Sequence, residues 1–490
     1  MSTRAHLRGL VRLLGGLYAL FALAFLPPLL WSWWSGDGAW QAFVQSGAIA
    51  LFVSAGFWLV GSSQRRAELA APDACLVVVL GWVGCALLAS LPFQFLLTPL
   101  SALDSVFEAM AGLTTTAATR LRGLEQLPAS LHLWRSLLQW IGGLAAIVLA
   151  VAVLPLLGVG GMQRYRAEVP GAMKAGQMRS RVAQAASALW LVYLILTVAC
   201  GLALRAAGMP WLDAICHALT TISLGGFSTR DASVAAFDLP AIEMVLMLFM
   251  ILGALNFATH YQAFDQRSVR VYWNDAEALG VVVVIASSIV VVSLYLSALG
   301  VYADDVQGLR RAAFEVVSWA TTTGYSARGA VPWPSFAATW LLFLSCVCAS
   351  AGSTAGGIKM IRTLILMRQT ARELSQVVHP RAVIPLRISG QTIETRVVFS
   401  VLGFMLLYGV TLVTVSFLLM ACGFEFATAV AAAFGCLNNV GVDLSAVLPL
   451  GAPADPLHAA QLVLLTLTML VGRLELMLAF VLLTPAWWRR

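Results

Sequence analysis

The chain has 490 residues, 60% of them hydrophobic and 11% charged, with a mean hydropathy of +0.86 and a formal net charge of +7. A soluble domain carries about 25% charged residues, so this composition excludes a water-solvated globular protein and points to a polytopic membrane protein. The basic excess does not build a nucleic-acid surface, because the only lysines are Lys174 and Lys359 and the arginines flank apolar segments without forming a stripe.

Ten segments are long and apolar enough to cross a bilayer: 10–34, 40–61, 73–92, 131–158, 184–206, 240–264, 276–299, 335–358, 396–421 and 460–484. The first follows basic residues, as a signal peptide would. It runs from Leu10 to Trp34 without a small-residue cleavage site, and is therefore expected to be a retained span. The eight cysteines fall mostly within the apolar runs. Cys346 and Cys348 have no neighbouring metal partner, so the thiols are expected to behave as small buried hydrophobes. With the N-terminus placed inside, 21 of the 30 basic residues fall in inner loops, eight in outer ones, and Arg473 within the last span. Positive charge gathers on the cytoplasmic side, which predicts that both termini are cytoplasmic.

Four outer connections share one pattern, a short apolar stretch followed by a small polar turn. In chain order they are 104–119 (DSVFEAMAGLTTTAAT), 213–229 (DAICHALTTISLGGFST), 311–327 (RAAFEVVSWATTTGYSA) and 424–445 (FEFATAVAAAFGCLNNVGVDLS). Glu108 and Glu315 stand nine residues before Ala117 and Gly324, and His217 stands nine before Gly226. The fourth copy has no ionisable residue at that offset. This is an internal repeat of span, short helix, polar turn and span. It divides the chain into two extra N-terminal spans (1–70) and four repeats (71–165, 166–272, 273–392 and 393–490).

Irregular backbone at membrane depth is tolerated only where it is buried in protein or lines a polar cavity. Four such turns in one chain can surround one axis and present carbonyl oxygens that replace the hydration shell of a monovalent cation. The short helices direct their negative C-terminal ends toward the same axis. The expected fold is all-α, with four pseudo-fourfold repeats of span, pore helix and span around one central pore.

The motifs TTTAAT (114–119), SLGGFST (223–229), TTTGYS (321–326), CLNNVGVDL (436–444), AGSTAGGIK (351–359), HPRAVIPLRI (379–388) and GRLELMLAFVLLTPAWW (472–488) resemble the Trk/Ktr/HKT superfamily of cation transporters. The likeness covers nearly the whole chain and is strongest to the membrane subunit of bacterial Trk systems. It implies that each repeat gives one selectivity-filter turn with a key residue: Ala117, Gly226, Gly324 and Gly441, preceded by Thr116, Gly225, Thr323 and Val440. Thr115, Thr322 and Asn439 complete the potassium-binding lining. The family usually has glycine where Ala117 stands, and related plant transporters with serine there tend to prefer sodium, so potassium and sodium both stay open as the permeant ion. The fourth turn also departs from the family, with Val442 and Asp443 in place of Pro-Gly. Asp443 is either a cation-concentrating carboxylate or a solvated loop residue.

The resemblance further implies a gate. Gly352, Ser353, Thr354, Ala355, Gly356, Gly357 and Lys359 form an unwound intramembrane loop, and Arg473 is a positive barrier facing the pore. The alternative for Arg473 is a structural ion pair with Glu475 or Glu315. The resemblance also implies channel-like potassium uptake across the bacterial inner membrane, with potassium in the filter as the sole cofactor. It implies a homodimer and a cytosolic nucleotide-binding regulatory subunit that docks on basic inner loops, which would equally suit anionic lipid headgroups. Glu108, Glu315 and His217 are expected to anchor the pore helices. A carrier coupled to protons or sodium is the rival reading, and would place paired acids mid-membrane; Glu243 and Glu475 show no evident partner in the sequence. No nucleophile–base pair, HExxH or GxSxG motif occurs, so no enzymatic activity is expected.

Overall fold

Long apolar runs become helices here because each backbone N–H and C=O inside a bilayer must be paired within its own segment. The computed structural model describes residues 3–61, 71–97, 100–150, 175–329, 331–441 and 456–485, and among these the only strands form one two-residue hairpin. Helices α1 (Thr3–Ala22) and α2 (Leu26–Ser35) join through a tight 3-10 turn just before Pro27-Pro28, where two backbone donors are missing. Together they form one continuous span, and α3 (Trp40–Val60) returns beside it. Ser54 Oγ donates to the Gly15 carbonyl at 2.7 Å and locks this N-terminal pair.

The next elements are α4 (Ala71–Ala89), α5 (Leu91–Leu96), the short α6 (Ala102–Leu113), α7 (Ala129–Val148), α8 (Ala175–Ala206) and the short α9 (Trp211–Ile222). They are followed by α10 (Pro240–Ala254), α11 (Phe257–Asp265), α12 (Arg270–Asn274), α13 (Ala276–Ala298), α14 (Asp305–Ala320), α15 (Ser335–Val347) and α16 (Met360–Val378). The hairpin β1 (Arg387–Ile388) and β2 (Gln391–Thr392) precedes α17 (Thr395–Ala421), the short α18 (Phe426–Leu437), α19 (Pro456–Arg473) and α20 (Leu476–Val481).

The ten apolar segments do not all become single helices. Six helices among the described residues are long and apolar enough to cross, or seven if α10 and α11 count as one span bent by 95°. The breaks fall in the second spans of the second, third and fourth repeats, and the one in the third coincides with the interruption expected at 351–359. After α10 the chain turns extended at Leu255 and Asn256, and the Asn256 side chain caps α11 by accepting from the Ala258 N–H at 2.9 Å. α15 stops at Val347 and residues 348–359 are non-helical. α19 stops at Arg473, and Glu475 with φ +59° turns the chain into α20. In the first repeat, the part of the span beyond residue 150 lies outside the described residues. So do the 165/166 repeat boundary, Val442, Asp443 and the basic residues Arg65, Arg66, Arg164, Arg166, Lys174, Arg489 and Arg490.

Two large apolar cores hold the helices in place. One joins the N-terminal helices to the first and fourth repeats, and in it the Phe25 ring stacks on fully buried Trp134 with centroids 4.5 Å apart. The other joins the second and third repeats around Tyr193, Phe257, Phe314 and Tyr325. All eight cysteines are free thiols, and seven of them are buried.

Candidate ion pathway

The four short helices α6, α9, α14 and α18 end in the same backbone arrangement. Two residues past the end of each helix the chain adopts a left-handed conformation: Thr115 (φ +52°), Leu224 (+54°), Thr322 (+59°) and Asn439 (+54°). The next N–H reaches back five residues, from Thr116 to Ala111, Gly225 to Thr220, Thr323 to Ser318 and Val440 to Gly435, at 2.8 to 2.9 Å. This is the Schellman closure, which normally places glycine at the left-handed position. Here β-branched threonine holds it twice, in a conformation such residues rarely adopt. Backbone strain of that kind persists where surrounding structure over-determines it, and clusters at functional sites. These non-glycine left-handed residues were not legible in the sequence.

Two residues further on, Gly226 (φ +75°), Gly324 (+84°) and Gly441 (+79°) are left-handed again, whereas Ala117 is not. All four face one another. A Cβ added to Gly226 would strike the Thr323 carbonyl and stand 2.9 Å from the Ala117 methyl carbon; one added to Gly324 would strike the Val440 carbonyl and stand 2.8 Å from the same methyl. One added to Gly441 would strike the backbone of Ala117 and Ala118. The three glycines thus leave open a space that the Ala117 methyl enters.

Polar side chains fix the limbs leaving the turns. Thr119 donates to Glu108 at 2.7 Å, and Ser326 donates to Glu315 at 2.8 Å. His217 uses its Nδ1 toward the Asp213 carbonyl at 2.7 Å, leaving Nε2 to accept from Ser228 at 3.0 Å. In each case the partners lie eleven residues apart. These three residues therefore brace the outgoing limb of the turn as well as their own helix. Glu315 also accepts from the N–H groups of Ala327 and Arg328. Glu108 forms a fully buried ion pair with Arg135 at 2.9 Å, and Arg135 reaches across to the Ser228 carbonyl of the second turn at 3.2 Å.

Gln139, fully buried on α7, brackets Gly226: its Nε2 donates to the Gly225 carbonyl at 2.7 Å and its Oε1 accepts from the Phe227 N–H at 3.0 Å. The Gly225 oxygen is thus turned to Gln139. A side chain at Gly225 would occupy the volume of the Gln139 amide. In the fourth turn Asn439 Nδ2 donates to Thr116 Oγ1 at 3.0 Å and to the Met469 carbonyl at 2.9 Å, while Asn438 joins Tyr408 and Ser345. Both asparagine side chains brace the turn from behind.

Residues 348–359 lie against the ends of the short helices. Thr354 Oγ1 donates to the Ile222 carbonyl at 3.0 Å, and the Gly356 N–H donates to Thr322 Oγ1 at 2.9 Å. Gly352 (φ +79°), Gly357 (+76°) and Lys359 (+77°) shape the loop, and Lys359 Nζ donates to the Ala355 carbonyl. Arg473 is buried and donates to the Thr354 carbonyl at 2.7 Å and the Gly142 carbonyl at 3.2 Å. It makes no ion pair with Glu475 or Glu315. Glu475 pairs instead with Arg362, and Glu243 pairs with Arg310 and Arg311, so both acids that lacked a sequence partner have one. A cavity of about 40 Å³, lined by Ala355, Gly356, Lys359, Asn439, Arg473 and Glu475, lies between the loop and the fourth turn.

The structure therefore brings together Thr115, Thr116, Ala117, Gly225, Gly226, Thr322, Thr323, Gly324, Asn439, Val440 and Gly441 in one ring of turns. Gly352, Ser353, Thr354, Ala355, Gly356, Gly357, Lys359 and Arg473 form a layer packed against that ring. The partners that sequence reasoning missed are Gln139, Arg135 and Glu277, the last accepting from the N–H groups of Ala351 and Ile361, and each is far in the chain from what it holds.

Comparison with known proteins finds the same architecture. A family model named TrkH and described as a cation transport protein matches residues 39–486. The chain is 40% identical over 485 residues to the Trk system potassium uptake protein TrkH of Salmonella typhimurium, covering 99% of this chain and 100% of that one. It is 41% identical over 486 residues to the protein of the same name from Vibrio parahaemolyticus, covering 98% of this chain and 99% of that one. The crystal structure of the potassium transporter TrkH from Vibrio parahaemolyticus superposes with a TM-score of 0.90 at 38% identity, over 99% of this chain and 100% of that chain.

Proposed function

From the premise that this chain belongs to the TrkH family of cation transport proteins, we propose that it carries potassium into the cell by a channel-like route through the ring of four turns. The observation that carries this reading is the convergence of Gly226, Gly324, Gly441 and Ala117 on one point, with the Thr323 and Val440 carbonyl oxygens beside it. Carbonyls so placed replace water around a weakly hydrated monovalent cation. The potassium-binding lining is Thr115, Thr116, Ala117, Gly225, Gly226, Thr322, Thr323, Gly324, Asn439, Val440 and Gly441. Gly225 supplies space and backbone shape in this set, since its own oxygen is engaged by Gln139.

The loop from Gly352 to Lys359 is the gate in this reading, and Arg473 pins it by holding the Thr354 carbonyl while placing positive charge on the path. Regulation comes from a separate cytosolic nucleotide-binding subunit docked on the basic inner surface, and two copies of the chain assemble, each with its own path. The membrane is the bacterial inner membrane, with both termini cytoplasmic. The family resemblance and the excess of basic residues in the inner loops support these assignments.

The Ala117 methyl favours one variation of the same reading, in which sodium passes as well as potassium. Flux of each ion into liposomes containing the purified protein decides between them. Potassium entry well above sodium entry supports the uptake reading, equal entry supports the relaxed variation, and no entry of either ion counts against conduction.

A further inference from the structure

The loop that lies against the turns is held on one side by residues of the pathway, and one residue outside the pathway grips both of its ends. Glu277 stands in the first turn of α13, with its backbone N–H taken by the Asp275 cap at 3.0 Å. The residue is only 6% exposed, and one carboxylate oxygen, Oε1, accepts from the N–H of Ala351 and the N–H of Ile361, each at 3.0 Å. Ala351 opens the loop and Ile361 lies in the first turn of α16, where a helix leaves its backbone donors without intrahelical partners. A carboxylate at a helix N-terminus also meets the positive end of the helix dipole.

Other bonds at the foot of the loop are of two kinds: Met360 N–H to the Ala349 carbonyl and Ile358 N–H to the Cys346 carbonyl join it to its own flanks, while Ser350 N–H to the Ala254 carbonyl at 3.1 Å and Phe257 N–H to the Gly352 carbonyl at 3.3 Å tie its first residues to the break between α10 and α11. The first pair keeps its ends together and can travel with it. Glu277 differs from both kinds because, from another helix, it grips the start of the loop and the start of α16 at once. Its neighbour Ala276 donates to Ser389 Oγ of the turn between β1 and β2, so the grip begins where α13 meets the polar hairpin.

We propose that Glu277 is a positioning residue for transport, latching the intramembrane loop in its obstructing place so that its carboxylate sets how often the path opens. This inference rests on the pathway reading given above. Hydrogen bonds to an ionised acceptor are roughly twice as strong as those to a neutral one, and removing the charge while keeping an oxygen loosens the latch without emptying the site.

The test uses the full-length protein in liposomes, with potassium and sodium flux measured for wild type, Glu277→Gln and Glu277→Asp, and thermal unfolding followed in detergent. Glu277→Gln is expected to raise potassium flux about tenfold, as a population shift toward the open loop. The potassium-to-sodium ratio stays at the wild-type value, because none of the turns is touched. A variant flux equal to or below wild type overturns the proposal. So does a flux gain with a changed ion ratio, which places the effect on the turns. If Glu277→Gln yields no folded protein, Glu277→Asp withdraws the charge by one methylene and must by itself exceed wild-type flux. A wild type that conducts neither ion sinks the pathway reading, and the latch with it, whereas a conducting wild type with an unaltered variant sinks the latch alone.

Discussion

The backbone N–H of Ala117 points at the Val440 carbonyl across a 3.3 Å gap, so the first turn leans on the fourth through a bond that joins no other pair of turns among the described residues. The bond accompanies the absence of a left-handed φ at Ala117, in contrast to the three glycines. The ring is consequently uneven at one quarter, and that quarter also carries the only methyl among the four key positions.

Ala117→Gly removes the methyl and permits the left-handed conformation of the other three positions. The potassium-to-sodium flux ratio in liposomes is expected to rise about tenfold, the equivalent of ~1.4 kcal/mol of discrimination between the ions. An unchanged ratio would mean that the methyl lies clear of the permeating ion.

Glu315→Ala strips the acceptor from Ser326, Ala327 and Arg328 together. Each buried donor left unpaired costs about 1–3 kcal/mol, so the thermal midpoint in detergent should fall and the third turn should lose its ion preference. Glu315→Gln retains one acceptor oxygen and should lose less on both measures.

At Gln139, the predicted effect separates shape from charge. Gln139→Leu keeps much of the volume but leaves the Gly225 carbonyl and Phe227 N–H without partners, at about 1–3 kcal/mol for each group. Flux selectivity is expected to decline in the leucine variant. Selectivity that survives intact would show that the second turn holds its shape without the amide.

Arg473→Ala frees the Thr354 carbonyl and takes a positive charge from the path. Basal potassium flux measured without any partner protein should increase, by an order of magnitude if the arginine contributes about 1.4 kcal/mol to the obstructed state. A fall in flux in folded protein would assign it to conduction rather than obstruction.

Asp37, in the connection between α2 and α3, supplies a pH test. Burial tends to raise its pKa, but hydrogen bonds from Ser32 and from the N–H groups of Ser130 and Ala39 outweigh burial and hold it below the ordinary 3.8. A depressed folded-state pKa stabilises fully above the unfolded value and loses that contribution as pH falls through the folded one. Asp37→Asn should therefore lower the thermal midpoint at pH 7, with the difference from wild type shrinking below about pH 4. A difference constant from pH 7 to pH 3 would place the effect elsewhere.

Much of this architecture was legible because bilayer physics writes itself into long apolar runs and because four similar polar turns recur between them. The nine-residue offset from Glu108, His217 and Glu315 to the key position was visible as well. Its complement, the hydroxyl eleven residues on, needed coordinates to be recognised as a brace. The small-residue run at 351–359 signalled the break in the third repeat, whereas the break after α10 was hidden, since hydropathy averages over a segment and Leu255-Asn256 contains neither proline nor glycine. The left-handed threonines were hidden for the opposite reason, as local preference argues against them and tertiary packing overrules it. Contacts such as Arg362 with Glu475, 113 residues apart, have no local signal to read.

The four turns belong to one polypeptide, and that changes the arithmetic of substitution. In a ring of four identical subunits every replacement at the key position is made four times, so a change costing about 1 kcal/mol in one quadrant would cost roughly 4 kcal/mol if the quadrants add independently. Here Ala117 alters one quadrant and leaves Gly226, Gly324 and Gly441 as they were. Ion preference in such a chain can drift by single, small steps, each sampled without collapsing the rest of the ring.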